Sequence, residues 1–253
     1  MLFKTTKKPS VEESVLEIAK KLVNKGPISI EELYNISTRT LKIFKNEVES
    51  EKKINEAIYN LIAKKIIIKG TKLTKDTVLQ NENRNKIYRY ISKNPSSHLR
   101  DIRENLTLNP QLAAWHLKML EKFNFIRKRR IKNKIIYFNS YIDPILDERI
   151  FTLKDSTNFK ILENILLDPG ITANDLAKKM KINSKKIEQI ISNLIEFEFV
   201  YKRNDISSPK HFGNLKYVIP ILKILKIPEL KIDIYKESER LSHKRFNFEE
   251  ITT

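Results

Sequence analysis

Between Arg127 and Lys134 the chain reads RKRRIKNK, and six of these eight side chains are cations: Arg127, Lys128, Arg129, Arg130, Lys132 and Lys134. Arginine offers phosphate a planar fork of donors and lysine a compact charge, so this cluster suits the binding of a polyanion. Upstream, NPQLAAWHLK carries Gln111, Ala114, Trp115 and Lys118 at three- and four-residue steps, which places them on one side of a helix. Glutamine can pair with adenine and alanine can meet a thymine methyl. Of these four, Gln111 and Lys118 bring the strong hydrogen-bonding groups.

Bond-making chemistry has little to draw on. The chain has no cysteine, which removes thiolate catalysis, disulfides and zinc knuckles together. His98, His116, His211 and His243 are the only histidines, too few and too scattered for a histidine-rich metal cluster. Gly26, Gly70, Gly170 and Gly213 stand alone, so no phosphate-cradling loop is present, and no Gly-x-Ser-x-Gly elbow appears. The reading is of a non-enzyme with no cofactor. His116 is expected in the core or half-buried, and Trp115 beside the buried stripe, packed against the first helix or a neighbouring module, or stacked on a base.

The whole chain supports an anionic partner. Its 253 residues carry a formal net charge of +18, with 40% hydrophobic residues, enough to build real cores. By segment the charge is +6 over residues 1–80, +8 over 81–150, +5 over 151–228 and −1 over 229–253. No stretch supplies the roughly 20 apolar residues of a spanning helix. MLFKTTKKPSVEES lacks the apolar run of a signal peptide, so the expected location is the cytoplasm.

The elements that position these residues show in a repeat. Residues 86–129 align without a gap on residues 160–203, an offset of 74. Ile87, Ile91, Pro95 and Ile102 fall on Ile161, Ile165, Pro169 and Leu176, and Ala113, Leu117 and Leu120 fall on Ile187, Ile191 and Leu194. Lys128-Arg129 meets Lys202-Arg203. In each copy the apolar spacing implies a helix ended by proline, a second helix and a short turn. A third helix follows, capped by Asn109 or Asn183, and then two strands. In the second copy the third helix offers Ser184, Lys185, Lys186 and Gln189, with Glu188 among them to repel phosphate, and the wing runs on through Ser207-Ser208-Pro209 to Tyr217. A weaker copy precedes both, with about ten extra residues within Tyr34–Ser50.

The stretch from Asn81 to Phe138 resembles the winged helix-turn-helix regulators common in archaea, through its Asn109-Pro110 turn, the run His116-Leu117-Lys118-Met119-Leu120-Glu121 and the basic Arg129-Arg130 wing. The resemblance implies a DNA-binding regulator whose third helix enters the major groove. Leu112 and Ala114 depart from it, standing where family members often carry small hydroxyl residues.

The expected fold is mainly α with small β-hairpin wings, an α+β chain of three tandem winged-helix modules. These are residues 1–80 with the insertion, 81–150, and 151–228 with the longer wing. Residues 229–253 follow as a charged, loose tail contributing little to folding, and IPILKILKIP before it is a strand or short helix. The nucleic-acid set is Gln111, Trp115, Lys118, the six cations from Arg127 to Lys134, and Lys185, Lys186, Gln189, Lys202 and Arg203. Double-stranded DNA is the first expectation. RNA remains open, as does a protein partner, because tandem winged helices also build adaptor subunits such as those of the ESCRT-II complex.

Overall fold

The computed structural model describes residues 9–41, 47–205 and 208–249. It divides into two compact units. Of the described residues, the first holds those up to Ser92, His98–Arg130 and Ile135–Tyr141; the second holds Lys93–Ser97, Ile131–Lys134 and those from Ile142 on.

In the first unit, α1 (Val11–Val23), α2 (Ile30–Leu41) and α3 (Glu47–Ala63) pack round one core. Ser10 opens α1 with a capping box, its Oγ accepting from Glu13 N at 3.2 Å while its own N–H donates to the Glu13 carboxylate at 2.7 Å. Val15, Ile18, Ala19 and Leu22 form one stripe, as 3.6-residue periodicity requires, and meet Leu33, Ile54, Ile58 and Leu61. An antiparallel bridge joins Ile67 to Thr74, and α4 (Lys75–Val78) follows.

Next come α5 (Glu82–Lys93), β1 (Ser97–His98), α6 (Leu99–Leu106), α7 (Pro110–Lys122), β2 (Ile126–Ile131) and β3 (Lys134–Asn139). Ile87 and Ile91 of α5, Ile102 of α6, and Leu117 and Leu120 of α7 share a buried cluster with Phe123, Ile126 and Val78. Lys132 and Asn133 join the strands with φ of 45° and 62°, the doubly left-handed geometry of a two-residue hairpin turn. The extra residues expected within Tyr34–Ser50 lengthen α2 to 12 residues, against 8 in α6, and otherwise fall on 42–46, outside the described residues.

In the second unit, α8 (Asp147–Lys154) leads to α9 (Ser156–Leu167), β4 (Ile171–Thr172), α10 (Ala173–Met180), α11 (Ser184–Glu196), β5 (Val200–Arg203) and β6 (Lys210–Gly213). From α5 to the start of β2, every boundary in the central copy recurs 74 residues later. The left-handed residues recur too: Ser96 with Gly170, Thr107 with Lys181, and Asn124 with Glu198. Both sheets have three strands, ordered β1-β3-β2 and β4-β6-β5, so a two-residue strand joins the hairpin expected from sequence. The α+β winged-helix class is as expected.

The C-terminal end differs from expectation. The second wing strand stops at Gly213, because Leu215, Val218, Ile221 and Leu222 then bury the face of a helix, α12 (Leu215–Ile224). Residues 206–207 of that wing lie outside the described residues. The boundary placed near residue 150 falls inside α8, where Ile150 and Leu153 are buried.

Residues from Glu229 form α13 (Glu229–Glu249) rather than a loose tail. Ile232 and Tyr235 are buried, the Tyr235 hydroxyl donates to Glu163 Oε1 at 2.9 Å, Lys231 pairs with the same carboxylate, and Ser238 Oγ donates to the Leu167 carbonyl at 3.1 Å. We therefore expect a chain ending at Pro228 to melt lower than the full chain. Tyr235→Ala should cost about 3 kcal/mol in urea denaturation, the usual range for emptying a buried aromatic site.

Candidate nucleic-acid interface

Two short turns aim α7. Thr107 closes α6 in the left-handed conformation (φ 52°), with Leu108 N donating to the Arg103 carbonyl at 3.1 Å. Asn109 then caps α7, its Oδ1 accepting from Gln111 N at 2.9 Å, with Pro110 at the first helical position. Ala113, His116, Leu117 and Leu120 turn inward. Gln111, Leu112, Ala114, Trp115 and Lys118 are exposed, so the structure brings the expected base-reading residues onto one solvent-facing surface.

Trp115 is 51% exposed and lies over a residue that the sequence reading missed. Arg84 of α5 is 5% exposed, its Nε donates to the Val78 carbonyl at 2.6 Å, and its guanidinium sits 5.6 Å from the Trp115 ring centre. Cation–π contact of this kind holds the indole against α5 while leaving its outer face in solvent. The repeat could have exposed it: Arg84 falls on Asn158, so it is a departure from the shared pattern. His116, beside Trp115 at 4.9 Å between rings, is buried as expected and has no hydrogen-bond partner at either nitrogen among the described residues. Burial, with the nearby Arg84 charge adding to it, pushes its imidazole below the ordinary range.

The six wing cations do not form one set. Alternation along β2 puts Arg127, Arg129 and Ile131 on one face and Ile126, Lys128 and Arg130 on the other. On the first face Arg127 and Arg129 are half-buried, and the Arg127 guanidinium lies 5.1 Å from the Phe138 ring. On the second, Lys128 and Arg130 are exposed, with Lys128 Nζ 3.1 Å from Glu121 Oε2 at the end of α7. Lys132 and Lys134 are exposed at the hairpin turn.

In the second unit, Asn183 caps α11 as Asn109 caps α7, its Oδ1 accepting from Lys185 N at 2.9 Å. Lys185, Lys186, Glu188 and Gln189 are all exposed on that helix. Lys202 and Arg203 are exposed on β5, the Arg203 guanidinium 5.1 Å from the Phe212 ring.

Two segments, residues 80–127 and 154–199, match the family of winged helix-turn-helix DNA-binding domains. These two segments are winged helix-turn-helix domains. Each match runs from the first helix of a winged helix, through its turn and third helix, to the start of the wing. The winged-helix chain is also 30% identical over 185 residues to an uncharacterised HTH-type transcriptional regulator of Methanocaldococcus jannaschii. That alignment covers 72% of this chain and 46% of the relative, so the chain spans about half the relative's length. Among the described residues, no helix is long and apolar enough to cross a membrane, and no group of His, Cys, Asp and Glu is placed to hold a metal ion.

The buried imidazoles of the two winged helices predict a pH effect. His116 and His211 both titrate below the ordinary 6.5 in the folded chain, chiefly because burial disfavours the cation. Below pH 6.5 the unfolded chain therefore binds more protons, so stability is full above that value and falls as pH drops through the depressed folded values. Urea midpoints measured from pH 8 to pH 5 should decline on the acid side, and His116→Leu should flatten that decline.

Proposed function

We propose that the protein is a DNA-binding transcriptional regulator of the cytoplasm, with α7 as its principal reading helix. The observation that carries this is the exposed α7 face, Gln111, Ala114, Trp115 and Lys118, in a fold matched to DNA-binding domains and beside a cationic hairpin. The name of the Methanocaldococcus jannaschii relative supports the regulatory part. α7 lies in the major groove, where Gln111 pairs with adenine and Ala114 meets a thymine methyl. Lys118 supplies a further donor, and Arg130, Lys132 and Lys134 meet phosphate. α11, with Lys185, Lys186 and Gln189, makes a second and weaker contact, since Glu188 opposes phosphate there. Residues 11–78 are a third module whose wing has shrunk to one bridge. This role needs no catalysis and no cofactor.

The test separates binding to phosphate from binding to bases. Fluorescence anisotropy on duplex DNA across a salt series should show weaker binding to all sequences alike when Arg130, Lys132 and Lys134 are neutralised. The log-log salt slope should flatten by about 0.9 for each phosphate that the variant no longer neutralises. Neutralising half-buried Arg127 and Arg129 should flatten it less. Gln111→Ala and Lys118→Ala should alter preference among sequences, by about 1–3 kcal/mol at a contacted base pair. If the tip substitutions leave affinity and slope unchanged, the surface is an ordinary solvated one, and an adaptor role through protein contacts replaces this reading.

A further inference from the structure

The two winged helices differ in the cleft between the third helix and the wing. In the central one, Lys128 pairs with Glu121 at 3.1 Å, and Leu99 and Tyr137 pack against the core nearby. At the same places 74 residues on, Leu99 becomes Ala173, Lys118 becomes Ser192 and Glu121 becomes Ile195, while Lys128 stays lysine as Lys202. His211 stands opposite Lys202 on β6. The space released is a cavity of about 250 Å³ lined by Thr172, Glu188, Ile191, Ile195, Lys202 and His211, among others.

Its walls hold complementary, unspent chemistry. Neither Glu188 nor Lys202 has an ion-pair partner among the described residues, so one carboxylate and one ammonium face the same space unneutralised by each other or by neighbours. His211 is 6% exposed and uses Nδ1 on the Ile171 carbonyl at 3.2 Å, which leaves Nε2 without a protein partner among the described residues. Ile191 and Ile195 make an apolar floor.

We propose that this cavity binds a small zwitterion with an aliphatic body, of the α-amino acid class. The ammonium of the ligand meets Glu188, its carboxylate meets Lys202, and its side chain lies on Ile191 and Ile195. His211 Nε2 accepts a hydrogen bond from the ligand ammonium. A ligand bearing both charges satisfies both walls at once; one bearing a single charge leaves the other wall unpaired.

Isothermal titration of the full chain with L-leucine tests this, alongside isoamylamine, which lacks the carboxylate, and 4-methylpentanoate, which lacks the amine. L-leucine should bind, and each truncated analogue should bind about tenfold more weakly, the cost of one charge-assisted hydrogen bond. Lys202→Met should erase the advantage of leucine over isoamylamine, and Glu188→Gln its advantage over 4-methylpentanoate. Ala173→Leu, which restores the central winged helix's residue, should abolish binding without lowering the melting temperature. Absence of binding by L-leucine, L-valine and L-isoleucine to the folded chain overturns the proposal, as does leucine binding that Ala173→Leu leaves intact.

Discussion

Everything that faces outward from the two winged helices depends on a three-residue turn. Thr107 and Lys181 each close a helix in the left-handed conformation, and two residues later Asn109 and Asn183 each open the next with a 2.9 Å cap. A non-glycine residue held there costs on the order of 1 kcal/mol or more. The cost is offset because the turn sets the angle at which α7 delivers Leu117 and Leu120 to Ile87, Ile91 and Ile102. That packing fixes in turn which residues of α7 face solvent. Core and candidate reading surface are two sides of one helix rotation, so neither can shift without the other.

The helices and their caps were legible because buried positions obey a strict period and Asn-Pro has few structural uses. The fate of individual cations was not. In RKRRIKNK every second residue faces the same way, but all the exposed-looking side chains are charged, so hydropathy does not say which face of β2 is covered; Arg127 beside Phe138 settles it. Ser97–His98 is too short a strand to carry any period. α13 hid for another reason. Ile232 and Tyr235 are buried, but the helix is anchored through Lys231 and Tyr235 on Glu163, a polar attachment that an apolar pattern does not register.

One backbone plan carries two different surfaces here. Ala114 in the central copy becomes Glu188, and Glu121 becomes Ile195, while the helices that bear them keep the same length and the same cap. The first change adds a negative charge to a helix face that would otherwise suit phosphate. The second removes the partner of a lysine that both copies retain. Neither touches the buried stripe, which is why the fold tolerates both. The N-terminal segment also packs three helices round one core, with an antiparallel bridge between Ile67 and Thr74.

The tip of the central wing shows what such a scaffold gives up for charge. Lys132 and Asn133 both occupy left-handed backbone, a geometry for which asparagine followed by glycine is the easiest pair. Lysine there holds a strained conformation that glycine would adopt freely, and it places an exposed ammonium at the hairpin turn. Selection for ease of folding alone would replace Lys132-Asn133 with Asn-Gly, and in doing so would erase a charge at the tip of the wing. Related sequences should then divide at this turn, Asn-Gly standing where ease of folding alone decides and Lys-Asn where a charge is kept at the tip.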